Sequence, residues 1–177
     1  MRAAYVFGEV LDGTDPLDVV QVVVAVNLAP EDVPWGSNPR GTGWLAVELE
    51  LDKVGCEYWW RSHLDSPWNH YIHSSVRIWS LAGGAETAVL DALASRRLDD
   101  LPRLTPSDVD RRLQRRDELD NSVHHLREVR DKYWDRDWRR EHRGNGRYPE
   151  NELWEAVHGY LHVLDAGSPA SRGDGGS

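Results

Sequence analysis

Residues 18–28 read Asp-Val-Val-Gln-Val-Val-Val-Ala-Val-Asn-Leu, a nearly unbroken apolar run dominated by valine. A strand with one wet face would alternate apolar and polar side chains, so such a run fits a central strand covered on both faces. Ala29-Pro30 ends it. Residues 3–11 read as a strand ahead of it, with a turn at 12–16 (Asp-Gly-Thr-Asp-Pro) between the two.

Pro, Gly and Asn mark 31–43 as a loop. Residues 44–52 fit either a strand, because Leu45, Val47, Leu49 and Leu51 alternate, or a two-faced helix; their helix formers favour helix. Two aromatic and β-branched runs follow, at 56–62 and about 70–80. With Asp65-Ser66-Pro67 between them, they read most simply as an antiparallel hairpin.

Beyond Gly83-Gly84 the pattern turns helical. A short helix is expected over 85–97, with Ala88, Leu90 and Leu93 inward. Thr105-Pro106-Ser107-Asp108 opens a long helix reaching about 140, with Thr105 as the cap. Its apolar stripe is Val109, Leu113, Leu119, Val123, Leu126, Val129 and Tyr133. Residues 143–146 break it. Pro149 opens a last helix carrying Leu153, Trp154, Val157, Leu161 and Leu164, and a Gly/Ser-rich tail expected to be disordered runs over 167–177. The fold expected is α+β: an N-terminal mixed or antiparallel sheet of about four strands with helices over 1–100, then a helical region over 101–166 packed on it.

Composition bounds the function. Nine Trp against one Phe suits buried packing, with exposed rings left as stacking platforms. The single Cys56 excludes a disulfide within the chain and reads as a small buried residue. There is no signal-peptide pattern and no apolar run of the roughly 18 residues a membrane span needs, so a cytoplasmic location and no membrane partner are expected. A net charge of −9 argues against non-specific nucleic-acid binding, although residues 111–147 carry a basic surplus.

Phe7-Gly8, then Gly13 and Asp18, resemble the strand–turn–strand that opens nucleotidyltransferase domains of the polymerase-β type. In that family Gly-Ser ends the first strand, and two carboxylates one residue apart follow on the second. Two divalent cations beside a triphosphate need such oxygen ligands, and side chains two apart on a strand point the same way. The resemblance covers about residues 4–28, and the helix-then-strand order extends it to residue 62. It implies nucleotide binding around Gly8, Glu9, Asp18 and Glu57. Two positions depart from the pattern: Val20 stands at the second carboxylate and Glu9 at the Ser. The expected function is therefore a non-catalytic nucleotidyltransferase-like protein that binds a nucleotide or a protein partner. No cofactor is expected, and magnesium only if Glu9, Asp18 and Glu57 act together. The Trp-rich C-terminal block is also similar to a family of actinobacterial proteins of unknown function.

Two further clusters carry chemistry. In Tyr133–Arg143, Arg136 and His142 resemble the Arg and His of HEPN-type ribonucleases, which imply metal-free attack on RNA. Arg139, Arg140, Arg143 and Arg147 are candidates for phosphate or RNA contact. His158 and His162, four apart on a helix, could join Glu155 around a metal, and His63, His70 and His73 could do so with Asp65. The remaining reading is a structural partner protein.

Overall fold

A computed structural model describes residues 1–14, 16–51, 55–144 and 147–167. Asp15 of the expected turn, Asp52, Asn145 and Gly146 of the expected break, and the tail from 168 onward lie outside them. The fold is α+β. Five strands, β1 (Ala3–Phe7), β2 (Val20–Val26), β3 (Cys56–Ser62), β4 (Ser75–Ser80) and β5 (Gly84–Ala85), form one mixed sheet in the order β3-β2-β1-β4-β5. The helices are α1 (Glu9–Asp12), α2 (Gly43–Glu48), α3 (Thr87–Ala94), α4 (Asp108–Lys132), α5 (Arg136–Glu141) and α6 (Pro149–Asp165).

The valine run forms β2, an interior strand, with Val23 and Val24 fully buried on opposite faces. On one face Val6, Val22, Val24, Val76 and Trp60 pack towards α1, α2 and α3. On the other, Phe7, Val23 and Trp59 join Trp35, Ile72, Leu119 and Val163, which brings in α4 and α6. The sheet is thus covered on both sides, as an all-apolar strand requires.

The expected hairpin of 56–62 with 70–80 does not form. β3 runs parallel to β2, while β4 pairs antiparallel with β1, so two strands separate them. A parallel pair needs a crossover, and α2 lies on it. The expected strand at 3–11 stops at Phe7, where Gly8 takes φ 70° and starts α1.

The helical expectations need correcting too. The long helix stops at Lys132, and its cap is Ser107 in a capping box with Asp110, not Thr105. Val109 and Leu113 are exposed, and the buried side chains of α4 are Glu118, Ser122 and Val129. In α3 Val89 and Ala92 are buried and Leu93 packs against the core as expected, whereas Ala88 and Leu90 are exposed. In α6 Trp154, Leu161 and Leu164 are exposed, and Pro149, Ala156, Gly159 and Val163 are buried.

Gly159 explains that choice of face. A Cβ there would collide with the backbone oxygen of Trp35, and Gly36 packs against the Gly159 backbone. Only a small-residue face lets the 35–38 loop lie against α6. Gly159→Ala should therefore cost about 1–3 kcal/mol in urea unfolding, because backbone must move. Gly43→Ala, at the first helical position of α2 with nothing within 4 Å of the added methyl, should leave the midpoint equal or higher.

Candidate functional site

The connection from β3 to β4 carries a buried polar network. Asn69 and Ile72 are fully buried, and Asn69 Oδ1 accepts from the backbone N–H of Tyr71 and of Ile72, holding a tight turn. Asn69 Nδ2 then donates to Glu118 Oε1 at 3.0 Å. Arg61 Nη1, from β3, donates to the same oxygen at 2.5 Å, and its Nε donates to the Ser66 carbonyl. His70 Nδ1 lies 2.7 Å from Glu118 Oε2. One buried carboxylate thereby ties α4 to β3 and to the connection beyond it.

The chain of contacts continues. His70 Nε2 is 2.9 Å from His162 Nδ1 on α6, and the Trp35 indole N–H donates to that same Nδ1 at 3.1 Å. Indole only donates, so His162 Nδ1 accepts from Trp35 and that ring carries its proton on Nε2. Facing a carboxylate, His70 donates through Nδ1. These proton positions are assigned from the hydrogen-bond pattern.

The electrostatics agree. Burial pushes the Glu118 carboxyl up, but the Arg61 charge and the His70 hydrogen bond outweigh it and hold it below its ordinary value. Burial, then the neighbouring His70 and His158, pushes His162 below its ordinary value, which keeps the ring neutral.

His162 opens on a cleft of about 370 Å³ at the β3 edge of the sheet. Its walls include Trp35, Trp59, Tyr71 and His158, and it contains neither Lys, Arg, Asp nor Glu. Trp35 and Trp59 stack with their planes 6° apart, and Tyr71 lies 5.4 Å from Trp59. Ser37 also lines this cleft, with its Oγ turned away from water.

The residues singled out from the sequence are placed as follows. Gly8 lines a separate cleft of about 260 Å³ with Phe7, Gln21, Tyr71 and Arg103. A Cβ on Gly8 would collide with Gln21 Oε1, so the Gln21 side chain fills the space beside that glycine. Glu9, Asp18 and Glu57 are exposed and do not line this cleft. Among the described residues no three of His, Cys, Asp and Glu gather to hold a metal ion. Glu155 is taken by Asn38 and Arg147, so beside His158 and His162 it is already engaged. His63 bonds Asn27, His70 faces Glu118 and His162, and His73 bonds the His70 carbonyl, so each of these three rings is already engaged. Cys56 is half-buried and donates to the Leu51 carbonyl.

Arg136 is exposed at the start of α5, whereas His142 stacks on Trp138 at 3.8 Å and bonds its carbonyl. Arg139, Arg140 and Arg143 share one surface with Arg136. Arg147 lies elsewhere, paired with Glu152 and Glu155. Glu118, Arg61, Asn69, Trp35 and Ser37 were not singled out from the sequence. Glu118 follows Arg115-Arg116-Asp117, where nothing marks one charge as buried.

A family model described as a domain of unknown function, DUF7711, matches residues 1–169. The chain belongs to this family. The match spans the sheet, the Glu118 network and α6, so the aromatic cleft lies wholly inside the family's domain. Comparison with curated proteins and with solved structures returns no match. No helix among the described residues is long and apolar enough to cross a membrane.

Two outcomes test the network. Glu118→Ala leaves the Arg61 charge buried and unpaired, and should cost about 3–5 kcal/mol, read from urea unfolding. Stability should also fall in acid. His162 and His125, both lowered by burial first, bind fewer protons folded than unfolded, so their contribution is whole above the ordinary value of 6.5 and lost below it. Glu118, also lowered, adds a further loss below 4.5. The urea midpoint should be level above neutrality and drop through the mildly acidic range, with a shallower drop in His125→Gln.

Proposed function

We propose that this chain is a non-catalytic binding protein, with a nucleotidyltransferase-like sheet, whose ligand site is the aromatic cleft at the β3 edge. Support for the sheet's ancestry is its order: an antiparallel β1–β2 pair with glycine at the turn, then α2, then β3. The turn itself is a poor nucleotide site, since Gln21 occupies the space beside Gly8 and the three acids do not converge.

One observation carries the binding reading. Trp35, Trp59 and Tyr71 wall a cleft whose lining holds no Lys, Arg, Asp or Glu, and in it His162 is held by Trp35 and His70 through Nδ1. The aromatic faces favour a flat or ring-shaped body. Asn38, His158 and His162 in the lining favour a ligand bearing hydroxyl or carbonyl oxygens. The cleft has no charged Lys or Arg in its lining, and neighbouring Arg147 is neutralised by Glu152 and Glu155. A neutral ring compound of nucleoside size therefore suits it better than a triphosphate. The volume lies within the usual range for small-molecule sites.

Tryptophan fluorescence titrations with nucleosides and monosaccharides, and with magnesium ATP as the charged comparator, test this. A neutral ring compound should quench the emission saturably and raise the unfolding temperature at millimolar concentration, with ATP weaker than its own nucleoside. His158→Ala removes an exposed ring from the lining. It should leave stability nearly unchanged and weaken binding about tenfold. If no neutral compound shifts either signal, or if His158→Ala binds as wild type, the reading fails.

A further inference from the structure

A second concavity, of about 380 Å³, is lined by Trp134, Arg136, Arg139, Arg140 and Arg143, with no acidic residue in the lining. It shares no lining residue with the aromatic cleft. Trp134 is 83% exposed, the highest value among the large hydrophobic side chains of the described residues. Arg139 is held in place: its guanidinium sits over Tyr133 and Trp134 at 5.0 and 5.8 Å, and it donates to Glu150 and to the Tyr133 carbonyl. Among the described residues the Arg140 side chain has only an exposed pair with Asp137. The side chains of Arg136 and Arg143 have no hydrogen bond or ion pair among the described residues.

Two features of this face are unfavourable in isolation. Like charges converging on one hollow repel one another unless an anion joins them. A wet indole forgoes the burial that makes tryptophan useful. A ligand with phosphates at intervals and bases free to stack relieves both at once, which is the chemistry of single-stranded nucleic acid. A duplex hides its base faces, and a phosphopeptide would leave the indole bare.

We infer that this face docks single-stranded nucleic acid, with phosphates on Arg136, Arg140 and Arg143 and one base stacked on Trp134. The net charge of −9 opposes any polyanion, so contact is restricted to this face and is sensitive to salt.

Fluorescence anisotropy with a labelled RNA of about twelve nucleotides, its DNA equivalent and the matching duplex decides the matter. Anionic vesicles are run beside them. Single strands should bind saturably at about 50 mM salt and weaken steeply as salt rises. Trp134→Ala should weaken binding about tenfold. Arg136→Ala with Arg143→Ala should flatten the log–log salt slope by about 1.4. All three side chains are exposed, so far-ultraviolet circular dichroism and unfolding midpoints should match wild type. The inference is overturned by absence of binding at low salt, by unchanged affinity in Trp134→Ala, or by duplex or vesicles binding as tightly as the single strand. Neither result bears on the aromatic cleft, whose test uses small neutral ligands.

Discussion

The carboxylate of Glu118 is removed from water in the middle of α4, and the arrangement of the rest follows from what that requires. A buried carboxylate is tolerated when its oxygens are bonded and its charge is matched. Here Arg61 and Asn69 satisfy one oxygen and His70 the other. These partners come from β3 and from the connection after it, so the helix has one seat that leaves no charge unpaired. Of its apolar residues Leu119 and Val129 pack inward, while Val109 and Leu113 face water. Arg115 and Asn121 add bonds to the α6 and 30–32 backbones on the same helix.

The network also links fold to site. Its last member, His162, stands where the α4–α6 layer meets the edge of the sheet, and Gly159 lets the Trp35 loop close against α6 there. The Glu118 charge fixes His70, and His70 with Trp35 fixes His162. A ring held in this way presents its remaining N–H in one direction, the preorganisation that a selective binding site needs. The surrounding rings exclude water and supply flat faces without charge.

The turn at Gly8 illustrates how a motif and a site can part company. A glycine is required there, because φ is positive and Gln21 lies against it. A sequence comparison sees that glycine and the Asp18 beyond it. It does not see that the neighbouring space is filled by a glutamine side chain, which also bonds the Tyr71 hydroxyl. The conformational reason for the residue and any phosphate-binding reason look alike in one dimension.

The sequence by itself determined the α+β class, the two opening strands, the buried character of β2 and the existence of α4 and α6. These depend on local period, caps and breakers, which neighbouring residues carry. Only the tertiary structure decided that β3 and β4 lie on opposite sides of the β1–β2 pair, and which charge of α4 goes inside. The first depends on a parallel crossover that leaves no mark on the strands themselves. The second depends on partners 48 to 57 residues away, so Glu118 reads as a surface residue until Arg61, Asn69 and His70 are brought to it.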